Sequence, residues 1–588
     1  MTLPHIIPES PRVIGPETMA PWTAHTRTLT GERDLPPPIP FAPVPPNSRK
    51  PYVLSASVSP TRTWGSAARK HSVTESQPSA PATSLATLLT ARASPSVLIS
   101  NFPKPVPAST MASATVVLGV GPNNMALSTA LADRRTNPVT PLIFSGWHLL
   151  MHKHNLVHKY PNVLSTLQIG AVIGVPQIHH TFIPLNKPSI VLYSTQFDTI
   201  LQHEYSSQRH IGPFTRAQLE AAIGPFQTSL LSIILKPNKP GKFRMVQDFS
   251  FPHTPSSPIP SINTQLDSSL YPCTWGTFTT MALCIARLPP GSQAAARDEA
   301  EAYRTIPLHQ SQWNGTVVRV GDDAFNLDTC LSFGLTLLAG IYGTCADAAN
   351  DIMWAEGIGP IIKWVDDRVF FRILKTALAD FNLTRAHLHA EITQNGARHH
   401  NGGRWWYHAG HLPDGRIIEC DEDMAFPLKD LSNTSPRSAY EASFTYGMED
   451  IDRIAAQMGI PWEKSKDIPF GTVIHYIGLE WDIAQRTVAL PHDKKEKYQA
   501  AISAWTASTT HTLDQVQSLY GKLLHACHII PAGRAYLTRL ENFMGNFHNS
   551  PFQTLYPSKR NSHRLKLVVL PANYFPAHMA HTRPYHSP

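Results

Sequence analysis

The segment IIKWVDDRVFFR (361–372) constrains this chain more than any other. Two adjacent aspartates, Asp366 and Asp367, stand between the apolar Ile361, Ile362, Trp364 and Val365 and the apolar Val369, Phe370 and Phe371. Apolar runs on both sides of a polar pair predict a hairpin with the two carboxylates at its tip. Adjacent carboxylates repel, and partial burial disfavours their ionisation further. A divalent cation relieves that cost, and a surface turn with two hydrated aspartates is the plain alternative.

A third aspartate, Asp298, lies 68 residues upstream, after a short apolar run, and opens the segment DEAEAYRTIPLH. If the two segments are strands of one sheet, their acidic ends meet. Gathered carboxylate oxygens are what a two-metal phosphoryl-transfer site needs. Ala302 and Tyr303 follow Asp298 by four and five residues, a small residue and then a ring that can floor a sugar. Glu299 and Glu301 are expected to face solvent or to be salt-bridged. In LSFGL (331–335), Gly334 lets the backbone approach a ligand closely, and the apolar helix expected after it can support a base pair. In KPNKPGKFRMVQDFS (236–250), Lys236, Lys239, Lys242 and Arg244 precede the first acid, Asp248. On a hairpin tip these cations form either a phosphate clamp or a hydrated turn.

Composition matters through its distribution. Residues 1–110 carry a net +5 and residues 546–588 another +5, which leaves the body between them at −2. The basic balance of the whole therefore says nothing about the body, and only local patches can argue for nucleic acid. Residues 1–110 also hold 20 of the 53 prolines, with Ser, Thr and Ala around them, and are expected to be disordered. Six scattered cysteines form no CxxC pair, so neither a zinc knuckle nor a disulfide framework is expected, and a reducing compartment fits. The N-terminus lacks the pattern of a secretory signal, and an intracellular location, nuclear or cytoplasmic, is expected. The uncharged stretch 329–346 is 18 residues long and rich in Thr, Ser and Gly, so a buried helix with its leading loop is expected rather than a membrane span.

Order is expected from about Pro141. Helices are predicted over 145–161, 214–225 and 513–530, the last stopped by Pro531, and strands over 229–237 and 242–250. The histidine pairs His148/His152 and His154/His158 are four apart on the first helix, but without a carboxylate beside them they are not expected to hold a metal. The Gly-x-Gly in VVLGVGPNN (116–124) lacks a strand–helix frame and reads as loop. The strings WWYHAG and RIIEC flank LPDG as a hairpin, in which Trp405, Trp406 and Tyr407 either pack or stack on bases, while His399 and His400 read as loop.

The order basic hairpin, aspartate–aromatic, Phe-Gly and Asp-Asp hairpin resembles the reverse transcriptase family. KFRMVQDFS looks like its fingers motif, DEAEAYRTIPLH like motif A, LSFGL like motif B, WVDD like the motif C tetrad and YIGLEW (476–481) like the primer-grip hairpin. IGPFQTSLLSIILKPNKPGKFRMVQDFSFPH and KLLHACHIIPAGRAYLTRL look like the polymerase segment of tyrosine-recombinase retrotransposons. The resemblance covers about residues 146–545. It implies an α+β right-hand polymerase fold: fingers at 141–290, a palm with an antiparallel sheet at 291–482, a helical thumb at 483–547 and a basic unstructured tail at 548–588. It further implies two Mg²⁺ ions, with Mn²⁺ as the alternative, on Asp298 and Asp366, with Asp367 assisting and the Glu299 carbonyl as a backbone ligand. Lys236, Lys242 and Arg244 would clamp a deoxynucleoside triphosphate, Tyr303 would stack beneath its sugar, and Phe333 and Gly334 would pack by the nascent base pair. Residues 476–481 would grip the primer, and Lys464 or Lys466 would protonate the leaving pyrophosphate. The implied partners are an RNA or DNA template with its primer and deoxynucleoside triphosphates, and no membrane.

Trp364 stands where the family tetrad has Tyr or Phe, and Ser332 where motif B often has Pro. The residues after 545 supply no ribonuclease H or recombinase set, so the chain looks like a polymerase module cut from a larger element. An RNA-directed DNA polymerase is the expected function. The alternatives are a catalytically decayed or repurposed copy that binds nucleic acid without copying it, and a template-free nucleotidyltransferase.

Overall fold

The computed structural model describes residues 129–557, apart from 130, 136, 237–239, 255, 272, 395–396, 401–403, 412–416, 423–425, 531–532 and 548–552, together with residues 577–578. Of two compact units, the one formed by Thr26–Asn124 lies outside the described residues, as do the Pro-rich stretch 1–110 and the Gly-x-Gly at 119–121. The described part mixes helices with sheets whose ladders all run antiparallel.

Structure begins before Pro141, with a helical stretch at 131–135 that buries Leu131. Helix α1 (Phe144–Lys153) sinks Trp147, Leu150 and Met151 into the core and is shorter than its sequence predicts. Asn155 adopts φ 55° just beyond it, a left-handed turn that Asn tolerates, so His154 and His158 do not share a helix. His148 and His152 do share α1, with ring centroids 4.3 Å apart. Helix α2 (Ser194–Ser206) leads to strand β1 (His210–Phe214) and helix α3 (Arg216–Ile223). Thr215 starts α3 in a reciprocal box with Gln218 that satisfies two backbone donors. Strands β2 (Leu230–Leu235) and β3 (Phe243–Asp248) form the expected basic hairpin, and Lys239 between them in sequence lies outside the described residues. Helix α4 (Phe278–Arg287) follows.

Strand β4 (Gln293–Asp298) precedes β5 (Val317–Gly321) and β6 (Ala324–Asp328), which join β1 in the order β1-β6-β5. The uncharged stretch 329–346 divides as expected into a loop and the first half of a buried helix, α5 (Leu338–Glu356). No helix of the described residues is long and apolar enough to cross a membrane. Strands β7 (Ile361–Trp364) and β8 (Asp367–Arg372) form the predicted hairpin. Helix α6 (Leu378–Gln394) leads to β9 (Ala397–His400), β10 (Arg404–His411) and β11 (Ile417–Glu422), one three-stranded sheet. His399 and His400 are thus strand and not loop, and the side chains of Trp405, Trp406 and Tyr407 lie outside the described residues. After helix α7 (Met448–Met458), strand β12 (Ile468–Gly471) completes a central sheet in the order β12-β4-β8-β7.

Both faces of that sheet are covered, which is why apolar residues point to both sides of the strands around the aspartates and the cations among them, Lys363 and Arg368, are buried in ion pairs. Ile361 and Phe370 face one core, built on α5, α1 and α7. Ile362, Val369, Phe371 and Ala294 face a second, built on α4 and the next sheet. That sheet holds β13 (Val473–Tyr476), β14 (Leu479–Asp482) and β15 (Thr487–Ala489). Helices α8 (His492–Ala507), α9 (Leu513–Ala526) and α10 (Arg534–Gly545) close the described body around Trp505, Leu519 and Leu540. Helix α9 stops at Ala526, short of Pro531, because the chain tightens into a turn at Cys527. Residues 548–588, expected to be without structure, contribute two short strands: Thr554–Leu555 pairs with His511–Thr512, and Ala577–His578 with β15.

Candidate functional site

Strand β4 runs antiparallel to β8 with Asp298 directly opposite Asp367, and Glu299 N–H donates to Asp366 O at 3.0 Å. The two acidic segments are therefore joined by ladder hydrogen bonds. The turn between β7 and β8 holds only Val365 and Asp366, and Val365 adopts φ 56°. A positive φ in a β-branched residue is strained, and strain of this kind persists only where the surroundings enforce it. Here Trp364 pairs with Asp367 across the hairpin. On β7, the Lys363 ammonium, 2 % exposed, meets Asp347 of α5 at 2.9 Å and Thr274 O at 2.7 Å. The tip is thus fixed to a buried helix.

The three aspartates interact electrostatically. Burial raises the Asp366 carboxyl above the usual range, and the Asp298 charge adds to the rise. Loss of hydration, then repulsion from Asp366 and Asp298, pushes Asp367 up to about 6. Because Asp367 as a residue stays exposed, the repulsion is the firmer of those causes. The Lys466 ammonium donates to Asp298 Oδ1 at 2.7 Å. Burial works against the Lys466 charge, but Asp298, with Asp366 and Asp367 beyond it, holds its pKa above the ordinary value. Lys464 instead reaches Asp452 at 2.8 Å, so of the two lysines only Lys466 touches the aspartates.

Glu299 departs from the group. Strand alternation turns its side chain to the opposite face, 3 % exposed, where Arg368 Nη1 lies 2.8 Å from its carboxylate and Tyr342 OH donates to it at 2.8 Å. The carboxylate is salt-bridged, as one of the two expectations had it, and is turned away from Asp298; any ligand role for Glu299 falls to its backbone carbonyl. Glu301 is also paired, with Arg209 at 2.8 Å and His203 at 2.8 Å.

Of the predicted binding residues, Tyr303, Phe333 and Arg244 meet beside Asp366, whereas no contact among the described residues joins Lys242 to them. Tyr303, on a short 3₁₀ turn, meets the Phe333 ring edge-on at 5.5 Å and Tyr342 at 5.4 Å. Burial first, then the Asp366 charge, raises the Tyr303 hydroxyl above the usual phenol range and keeps it neutral. The Arg244 guanidinium lies over the Phe333 ring, 5.2 Å from its centroid, and its charge reaches both Tyr303 and Asp366. Gly334 adopts φ 116°, and a β-carbon there would come within 2.1 Å of Gln247 O on β3, so only glycine fits. Lys242 is exposed on the hairpin, where Lys236 N–H donates to Lys242 O at 2.8 Å. Residues 476–481 fold as a tight turn between β13 and β14, held from α9 by His525, whose Nε2 lies 3.0 Å from Ile477 O.

Among the described residues, no group of three or more His, Cys, Asp or Glu side chains is placed to hold a metal ion, the three aspartates included. By type, the Asp298, Asp366 and Asp367 carboxylates still suit Mg²⁺, which keeps its waters and takes one or two carboxylates together with substrate phosphates. The donor set is all oxygen, and its raised affinity for protons is what a bound cation would relieve. Sequence reasoning missed the Arg304–Asp328 pair beneath Phe333 and the Lys363–Asp347 anchor, because neither pair has a spacing that announces it.

No protein-family profile and no curated protein matches the sequence. The fold is similar to three solved structures of foamy viral protease-reverse transcriptase. One, in complex with double-stranded DNA, is 14 % identical with a TM-score of 0.39, over 73 % of this chain and 60 % of that one. A second, with an RNA/DNA hybrid, is 11 % identical with a TM-score of 0.40, over 71 % and 43 %. A third, again with double-stranded DNA, is 13 % identical with a TM-score of 0.39, over 76 % and 74 %. This chain thus spans less than two thirds of the first two proteins. At these TM-scores the likeness carries no argument, and the functional reading rests on the residues of the site.

Proposed function

We propose that this protein is a template-directed DNA polymerase that copies RNA or DNA by two-metal nucleotidyl transfer, with residues 141–290 as fingers, 291–482 as palm and 483–547 as thumb. The observation that carries the reading is the β4–β8 register, which sets Asp298 opposite Asp367 with Asp366 on the adjoining turn, beside Tyr303, Phe333 and Arg244. Asp298 and Asp366 would hold two Mg²⁺ ions with Asp367 assisting; bound there, they would lower the pKa of a primer 3′-hydroxyl and neutralise the triphosphate. Arg244 and Lys242, exposed on the β2–β3 hairpin, bind the phosphates. Tyr303 packs beneath the sugar and excludes a 2′-hydroxyl by bulk. Gly334 leaves room for the base pair, and the turn at 476–481 bears on the primer. Lys466, already at Asp298, is the proton source for the leaving pyrophosphate.

Purified protein with Mg²⁺, a primed RNA or DNA template and labelled deoxynucleotides extends the primer, and Asp366→Asn lowers the rate by about 10³-fold or more, the scale of losing a metal ligand or its transition-state stabilisation. Equal extension by the two proteins refutes the site assignment. Extension without template assigns the protein instead to the template-free transferases.

The Lys466–Asp298 contact favours one second reading. In it the ammonium permanently takes the place of a cation, and the protein holds nucleic acid without copying it. Template binding that weakens with salt, with no incorporation in Mg²⁺ or Mn²⁺, distinguishes this reading.

A further inference from the structure

Beneath the Phe333–Gly334 loop lies an ionic cluster that sequence patterns do not reveal. Arg304 follows Tyr303 on the 3₁₀ turn and is buried. Its Nη1 donates to both oxygens of Asp328 at 2.9 Å, and its Nη2 donates to Glu204 of α2 at 2.7 Å. Asp328, 1 % exposed at the end of β6, faces the buried His210 at 3.6 Å and Gln247 Nε2 at 3.4 Å. The same Arg304 Nη1 lies 3.0 Å from Leu331 O and 3.1 Å from Ser332 Oγ. Ser332, 2 % exposed, donates its hydroxyl to Asp328 Oδ2. One hydroxyl therefore bridges a buried cation and a buried anion, and it belongs to the residue immediately before Phe333. On the far side of the loop, Asn263 Nδ2 donates to Gly334 O at 2.8 Å.

We propose that Ser332 is a positioning residue, whose hydroxyl ties the Phe333–Gly334 loop to the Arg304–Asp328 pair and so fixes the Phe333 ring against Tyr303. The proposal rests on the polymerase reading only for its kinetic consequence. A hydrogen bond shared with two charged groups is stronger than a neutral one, and a buried ion pair holds a loop only while each of its oxygens and N–H groups is used. Arg304 and Tyr303 are sequence neighbours, so one short turn carries both the anchor and the ring that the anchored loop must meet. Without the hydroxyl, the loop keeps its Asn263 tie, its contact with Gln247 and the Arg304 bond to Leu331 O, but Ser332 loses its own tie to Asp328 and Arg304. Phe333 is then free to withdraw from Tyr303, and the space beneath the sugar widens.

Ser332→Ala is compared with Thr316→Val. Thr316 also donates a buried hydroxyl to Asp328, but to its backbone carbonyl at 3.0 Å, and it does not touch the loop. Hydrogen–deuterium exchange reads the clamp without any catalysis. In Ser332→Ala the amides of 331–336 exchange about tenfold faster, on the scale of one charge-assisted bond, while in Thr316→Val they stay as in wild type even if its melting temperature falls as far. In primer extension, Ser332→Ala raises KM for deoxynucleotides by about tenfold, changes kcat less, and lowers selectivity against ribonucleotides. Should the alanine variant fail to fold, Ser332→Cys, with its weaker donor, serves in its place. Unchanged loop exchange in Ser332→Ala, or equal acceleration in both variants, overturns the proposal. An inactive wild type whose loop still loosens in Ser332→Ala keeps the clamp and removes the polymerase reading instead.

Discussion

At the scale of single residues, Asp367 gives the clearest electrostatic consequence. Its folded pKa of about 6 lies above the ordinary aspartate value. A raised pKa means that the folded chain binds the proton more tightly than the unfolded one, so the contribution to stability is present at low pH and lost as pH rises through 6. At pH 7.5 without Mg²⁺, Asp367→Asn therefore melts higher than wild type, and the difference closes by about pH 4. Adding Mg²⁺ raises the wild-type melting temperature and leaves Asp366→Asn nearly unmoved. A difference that is flat from pH 4 to 8 contradicts the assigned repulsion. Gly334 makes a steric prediction. With φ 116° and Gln247 O in the path of a β-carbon, Gly334→Ala loses about 1–3 kcal/mol in urea unfolding. Stability equal to wild type would show that the loop yields without cost.

At the scale of elements, β8 shows how alternation divides labour. Asp367, Val369 and Phe371 share one face, while Arg368 and Phe370 share the other, so the strand sends a carboxylate to the site and a guanidinium beneath it. Arg368, 1 % exposed, neutralises Glu299 under the floor of the site. Removing one member of a buried pair leaves the other uncompensated. Arg368→Met is expected to cost about 3–5 kcal/mol, and the double variant Arg368→Met/Glu299→Leu to recover much of it. A double variant no more stable than the single one would mean that packing, not charge, sets the loss. The hairpin and the aspartate pair at its tip were legible in IIKWVDDRVFFR because alternation and a two-residue turn are local properties. The end of α1 was not, because Asn155 stops a helix whose apolar periodicity continues.

At the scale of the whole molecule, helices α8 and α9 bring Lys522 towards Lys497, and α8 sets Lys494 against the turn at 476–481. Lys494 lies so close to Gly478 that a β-carbon there would meet its ammonium at 1.7 Å. Burial lowers the pKa of both Lys494 and Lys522 and repulsion from Lys497 adds to it, against the opposing charges of Asp493 at Lys494 and Asp514 at Lys522. Cations held against one another in this way would be relieved by a phosphate backbone. Lys494→Ala/Lys522→Ala is expected to weaken primer–template binding and to reduce the slope of log K against log salt by about two. An unchanged slope would remove both lysines from the interface. The net charge of the sequence did not predict this cluster, because the body of the chain is near neutral overall; Lys494 and Lys497 are neighbours in DKKEK, and folding brings Lys522 to them.

The sequence alone determined the elements and the chemical types gathered in them: the Asp-Asp tip, the Asp298 strand end, the basic hairpin and the Phe-Gly loop. Each is set by neighbours within a few residues, where propensity and alternation act. Tertiary structure decided which of them touch. It brought Asp298 opposite Asp367, chose Lys466 over Lys464, turned Glu299 away to Arg368, and laid Arg304, Asp328 and Ser332 under the loop. Charge pairs between distant segments leave no periodic trace in sequence, since their energy depends on distance and burial that only the closed fold supplies.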